Sequence, residues 1–160
     1  MRYVVRPGLA VGALRFDMSR ADVVARLGPP HGPEPGEAGG GDGAEDRAGD
    51  PAMDAETEVE DEWEDDGLAV RYDAQGRVVE IALFPPACAS VGGVRLLGEN
   101  DGDPLVALAA ADPECTEDEG VIVSGALGLL YAEDDDGTPE LVVLAPGRLE
   151  ALARDAADDR

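Results

Sequence analysis

Two runs of alternating apolar residues, joined by a turn, constrain the fold of this chain most. Apolar side chains occupy every second position from 68 to 72 and again from 79 to 83. A period of two is typical of a strand with one buried face. Residues 73–76, which include Gly76, suit a chain reversal between the runs, and prolines at 85 and 86 end the second run. The pattern therefore predicts an antiparallel hairpin.

A second local pattern predicts a helix in the first part of the chain. Ser19 suits the N-cap position, and Asp22 stands three residues later, as in a capping box. An apolar stripe follows, and then Gly28 and two prolines stop the helix. Residues 13–16 have the composition of a short strand. We therefore expect a strand and a helix ahead of the hairpin.

The second half of the chain shows the same order of patterns. Residues 94–97 predict a strand, and Asp103 followed by Pro104 predicts the start of a helix. Strands and a C-terminal helix are expected after it. The predicted strands are 121–123, 127–132 and 141–144. The helix that starts at Pro104 should bury an apolar face of Leu105, Val106 and Leu108. The last helix is predicted at 148–157, with Leu149 and Leu152 facing inward.

Together these elements predict an α+β fold. Each half has a strand, a helix and three strands, so we interpret residues 1–160 as one domain of two tandem repeats, at about 11–84 and 92–145. We expect the two units either to set their sheets side by side or to form one long antiparallel sheet. The helices would pack on one face, which leaves the other face free for a partner. Residues 31–56 are rich in Gly, Pro and acid, and we expect this insertion to be flexible because it has little apolar surface to bury.

The charge of the chain limits its partners. It has 36 acidic and 12 basic residues, a formal charge of -24, and every basic residue is arginine. Such a charge repels phosphate backbones and anionic membranes, so we expect no nucleic-acid or membrane binding and favour a basic protein partner. No apolar stretch approaches the roughly 20 residues that span a bilayer, and Pro7 and Gly8 interrupt the apolar start, so we expect a cytoplasmic protein.

Residues for catalysis or metal binding are few. His31 is the one histidine and falls at the start of the flexible insertion, and no serine lies in a nucleophile elbow. Cys88 and Cys115 lack the close spacing of a zinc site, and we expect them to be reduced. The sequence therefore predicts no enzyme, no metal site and no cofactor. Oxygen-rich turns at 100–103 and 134–136 leave a calcium-responsive module as an alternative.

An acidic strand is the candidate binding feature. From 57 to 66 the pattern alternates, with Val59 and Trp63 on one face and glutamates on the other. One interpretation is a solvated edge strand whose charges prevent aggregation. The other is a recognition surface in which Trp63 either anchors the contact or lies in the core. The candidate partner-binding residues are Glu58, Glu60, Glu62, Trp63, Glu64, Asp65 and Asp66.

The segment 14–30 resembles the opening of the SmpA/OmlA-type domain, which recurs as a tandem repeat in β-lactamase-inhibitory-type proteins. The resemblance is carried by Met18-Ser19, a spaced Val23 and the sequence Leu27-Gly28-Pro29-Pro30. Asp17 stands where that family usually has glycine. The resemblance implies binding of a protein without catalysis, either by inhibiting an enzyme or by scaffolding outer-membrane assembly. Scaffold members carry a lipoprotein signal that this sequence lacks.

The sequence therefore predicts a non-enzymatic inhibitor. The acidic design is similar to that of bacterial immunity proteins, and the expected mechanism is occlusion of a basic site on a toxin or enzyme. An acidic protein whose charge serves only solubility is the remaining alternative. The sequence leaves the oligomeric state open.

Overall fold

The computed structural model describes residues 1–31, 58–98 and 102–158, with side chains up to 154. All of the predicted insertion except His31 lies outside these ranges, and so do Thr57 at the start of the predicted acidic strand and the turn residues Asn100 and Asp101. The strands are β1 Arg2–Arg6, β2 Ala10–Val11, β3 Leu14–Arg15, β4 Val59–Trp63, β5 Leu68–Tyr72, β6 Val78–Leu83, β7 Cys88–Val91, β8 Val94–Leu97, β9 Thr116–Asp118, β10 Val121–Ser124, β11 Leu129–Glu133 and β12 Pro139–Leu144; the helices are α1 Arg20–Leu27, α2 Pro104–Ala111 and α3 Arg148–Asp158, with a 3-10 turn at Glu64–Asp66.

The larger sheet has seven antiparallel strands in the order β4-β5-β6-β12-β11-β10-β9. It contains the predicted hairpin, with Val70 opposite Ile81, and the three predicted strands of the second half. The two groups of strands join between β6 and β12, where Leu83 lies opposite Leu141. Of the two arrangements left open by the sequence, these strands adopt the second, one antiparallel sheet built from both halves.

The other predicted strands lie in a second sheet. This sheet has five strands in the order β3-β2-β1-β7-β8, and its central pair, β1 and β7, is parallel. The α+β class is therefore confirmed, but a wholly antiparallel arrangement is wrong. The repeat stays a prediction, because the two halves share the order hairpin, helix and antiparallel strands but differ in the number of strands around the helix.

Helix α1 begins and ends as predicted. The Ser19 side chain accepts from the Asp22 amide, and the Asp22 carboxylate accepts from the Ser19 amide, which completes the capping box. Gly28 ends the helix with φ 85°, a conformation that favours glycine. Val23 is buried against the sheet. The cap therefore forms with Asp17 two residues ahead of Ser19.

Helix α2 starts at Pro104 with Asp103 as its N-cap, as predicted, but its apolar face is narrower than expected. Leu108 is 0% exposed, whereas Val106 is 67% exposed, so the assignment of Val106 to the core is wrong. Leu105 and Leu108 are three residues apart and share a helix face, while Val106 is rotated by roughly 100° from Leu105. Helix α3 covers the predicted range, and Leu149 and Leu152 are half-buried.

One hydrophobic cluster connects the two sheets. The inner face of the seven-stranded sheet packs its buried residues toward α1 and the five-stranded sheet, and Tyr3 and Val5 of β1 belong to the same cluster. Its largest fully buried side chains include Trp63, Tyr72 and Leu129. Burial of this kind is the main stabilising contribution in a domain of this size.

Candidate functional site

The acidic strand β4 is an edge strand of the seven-stranded sheet. Glu60 lies opposite Arg71, and Glu62 lies opposite Ala69. Cross-strand neighbours share a face, so these residues belong to the face turned away from the core, which we call the outer face. The row of glutamates predicted from the alternation is therefore confirmed for Glu60 and Glu62.

The predicted row is shorter than expected at its C-terminal end. Strand β4 ends at Trp63, and Glu64, Asp65 and Asp66 form the 3-10 turn, so the extension of the strand to residue 66 is wrong. Gly67 closes this turn with φ 65°, and a Cβ built there would lie 2.0 Å from the Phe84 carbonyl oxygen. The need for a left-handed residue against the neighbouring backbone breaks the strand at this point.

Trp63 lies in the core and not on the binding surface. It is 1% exposed, and its Nε1 donates to the Gly28 carbonyl oxygen at 3.3 Å. Of the two roles left open for Trp63, the core role is the one that the structure supports. It is accordingly removed from the candidate contact residues.

Asp61 is a buried acid that the sequence pattern did not single out. Its side chain is 4% exposed, and its two oxygens accept from Arg20 Nε at 2.7 Å and from Arg20 NH2 at 2.6 Å. Burial, and then the negative charge of Asp61, raise the pKa of Tyr72. An acid at an inward position of an alternating strand is the signal that could have identified this pair. It attaches α1 to the edge of the sheet.

Arginines neutralise part of the acidic row. Arg71 NH2 lies 2.7 Å from a Glu60 oxygen, and Arg71 NH1 lies 3.3 Å from a Glu80 oxygen. Glu58 lies 3.9 Å from Arg71 and also pairs with Arg148 at the start of α3. The row is therefore not a line of unpaired like charges.

Glu62 differs from Glu58 and Glu60, because it forms no ion pair with any described residue. It borders a cavity of about 370 Å³ on the outer face, whose floor is formed by the small residues Ala69 and Ala82. Five carboxylates and one guanidinium surround this cavity, which we call the acidic groove. Its charged residues are Glu60, Glu62, Glu80, Asp134, Glu140 and Arg71.

Burial raises the pKa of Glu80 within the acidic groove. Its side chain is 12% exposed. Desolvation is the largest cause of the shift, Arg71 and Arg148 oppose it, and the charges of Glu58 and Glu60 add to it. Five carboxylates line the groove against one arginine, and this excess of acidic groups is the electrostatic condition for attracting a cation.

Apolar side chains continue the outer face beyond the acidic groove. Ala82 lies opposite Val142, Val142 opposite Leu130, and Leu130 opposite Val123, so one cross-strand row leads away from Glu62. Val123, Leu130 and Val142 are half-buried. The outer face therefore combines an acidic groove at one side with an apolar strip over β10 to β12.

The remaining candidate residues have structural roles. The backbone amide of His31 donates to the Glu62 carbonyl oxygen at 2.8 Å, which occupies one outward hydrogen-bonding group of the edge strand β4. Ser124 is 0% exposed, and its hydroxyl donates to Asp112 at 2.6 Å. Cys88 and Cys115 are both free.

In the acidic turn at 134–136, the alternative calcium site, the Asp134 side chain stabilises the turn itself. Asp134 Oδ1 accepts from the amides of Asp136 and Thr138 at 3.0 and 2.8 Å. In the described ranges, no three His, Cys, Asp or Glu side chains are grouped so that they could hold a metal ion. The calcium alternative gains no support from this turn.

Comparison of the chain with protein families, with curated proteins and with solved structures finds no match. The resemblance to the SmpA/OmlA-type domain therefore stays a prediction. Within the described residues, no helix has the length and apolar character needed to cross a membrane.

Proposed function

We propose that the protein is a non-catalytic binding protein whose outer face takes a basic protein partner. The observation that carries the proposal is the acidic groove, in which five carboxylates surround a single guanidinium above a floor of alanines. A basic side chain entering the groove would gain unpaired carboxylates as partners, Glu62 and Glu140 among them. Arginine suits the site best, because its planar fork can bind two carboxylates at once.

The apolar strip beside the groove supports the same proposal. Protein interfaces combine an apolar centre with a polar rim, and the half-buried side chains of Val123, Leu130 and Val142 supply such a centre. The acidic groove would then orient the partner and speed its approach, while the apolar strip would contribute burial.

The proposed mechanism is occlusion, as for an inhibitor or an immunity protein. Carboxylates of the outer face would replace the negative charge of the substrate at a basic site of a toxin or enzyme. We also infer a cytoplasmic location, which the free state of Cys88 and Cys115 supports.

A capture experiment with matched variants tests this function. The full chain and the variant E62Q/E140Q are used as baits in lysate of the producing cell, since neither glutamate has an ion pair within the described residues and the fold should be unaffected. The control is E114Q/E117Q, which removes the same charge from exposed positions. We expect the wild type and the control to retain a basic protein that E62Q/E140Q does not retain. Salt at 0.5 M should release this protein, because it shortens the Debye length to about 4 Å and screens the charges. Equal capture by all three baits would refute the proposal.

A further inference from the structure

The face of the five-stranded sheet that is turned away from the core carries arginines, so its charge is opposite in sign to that of the acidic groove. On the inner side, Tyr3 and Ala89 are buried. The alternating positions of β1, β7 and β8 point outward and bring together Arg2, Ser90 and Arg95. These side chains line a cavity of about 360 Å³, which we call the arginine trough.

The register of the strands explains the shape of the arginine trough. Strand β7 lies between β1 and β8, with Arg2 opposite Cys88 on one side and Arg95 opposite Ser90 on the other. Adjacent strands are about 4.8 Å apart and the two arginines are offset by two positions along β7, so their stems rise roughly 12 Å apart on either side of short side chains. A Cβ added at Gly93, at the end of the trough, would meet no atom within 4 Å, so the backbone there is open to a ligand.

The charge of the arginine trough is unusual for this chain. The sequence contains three acidic residues for each basic one. No aspartate or glutamate is found among the described residues that line the trough, and Arg2 forms no ion pair within the described part of the chain. The described lining residues therefore offer an anion two guanidinium groups and one hydroxyl, and none of them is a carboxylate.

We propose that the arginine trough binds a small molecule that carries two negative charges on its oxygen atoms. Arg2 and Arg95 bind the anionic oxygens from two sides, and the Ser90 hydroxyl donates a further hydrogen bond. The volume lies at the small end of the range for ligand pockets, about 300 to 1,000 Å³. Phosphate monoesters and dicarboxylates carry this charge, and both are sources of such a ligand. The site is separate from the outer face of the seven-stranded sheet.

Amide chemical shifts of the full chain, titrated with inorganic phosphate or with succinate at constant ionic strength, test this proposal. We expect saturable shifts at Ser90 and Gly93, and at least a fivefold weaker affinity in R2Q and in R95Q. The control R77Q removes an exposed arginine from the hairpin turn of the other sheet and should bind as the wild type does. Tighter binding of phosphate than of succinate assigns the ligand to the phosphate esters, and the reverse order assigns it to the dicarboxylates.

Two outcomes would overturn the proposal. The first is an absence of saturable shifts with either anion at tens of millimolar. The second is equal weakening by R77Q, which would show that the anion responds only to net charge. The variant E62Q/E140Q should keep full anion binding, so failure of the arginine trough and failure of the acidic groove are distinguishable.

Discussion

Replacing Arg20 with alanine is expected to destabilise the fold by about 2–3 kcal/mol. Removal of one partner from a buried ion pair costs about 3–5 kcal/mol, whereas an exposed pair contributes about 0–1 kcal/mol. Here the Asp61 side chain is 4% exposed and the Arg20 side chain is 51% exposed, so the cost lies between these ranges. The stability falls because the Asp61 carboxylate would lose both charge-assisted hydrogen bonds and would remain mostly buried.

Urea denaturation followed by fluorescence measures this loss, because Trp63 is the one tryptophan and is buried two residues after Asp61 on the same strand. In thermal denaturation, the same loss of stability in R20A should lower Tm by about 4–12 °C for a domain of this size. The control is R26A, an exposed arginine in the last turn of the same helix, which should change stability by less than about 0.5 kcal/mol.

A double-mutant cycle separates the ion pair from other effects of the substitution. In the D61N background, R20A should cost at least about 1 kcal/mol less than it does in the wild type, because the charge that needed compensation is gone. Equal costs in the two backgrounds, or a cost of R20A no larger than that of R26A, would refute the role assigned to this pair.

Three further substitutions test the packing and the electrostatics, each by urea denaturation. L108A should cost about 2–5 kcal/mol, because this side chain is fully buried, whereas V106A should change stability by less than about 0.5 kcal/mol; similar costs would contradict the placement of α2. G67A should cost at least about 2 kcal/mol because φ is positive and the added Cβ would meet the Phe84 carbonyl; a neutral effect would contradict that contact. E80Q should stabilise at pH 7, because burial raises the folded-state pKa of Glu80 above its unfolded value and ionisation therefore opposes folding. The gain should shrink as pH falls through the folded pKa and vanish below the unfolded value of 4.5, and a gain that grows at acid pH would contradict this reasoning.

Elements with strong local patterns could be predicted from the sequence. The hairpin of β5 and β6 rests on alternation and a turn, and α1 rests on the capping box of Ser19 and Asp22. These signals depend on residues a few positions apart, so they need no knowledge of the rest of the chain.

Elements defined by distant partners were missed. Strand β1 was interpreted only as an apolar start, and β7 was not predicted, because each is short and follows or precedes prolines and glycines. Their parallel pairing joins residues more than 80 positions apart, for example Val5 with Val91. Single-sequence periodicity carries no information about such a partner.

The candidate site was predicted only in part for the same reason. Alternation placed Glu60 and Glu62 on a common face, but Arg71 and Glu80 came beside them through strand register. Glu140 reaches the groove from β12, far along the sequence. The charge of the acidic groove is therefore a property of the pairing between β6 and β12, which no local pattern predicted.

The most direct test of the central claim is a map of the amides that respond when the captured basic partner binds the full chain. We expect chemical-shift changes that centre on Glu62, Ala82, Leu130 and Val142, on the outer face of the seven-stranded sheet. Changes confined to the five-stranded sheet, with the acidic groove unaffected, would contradict it.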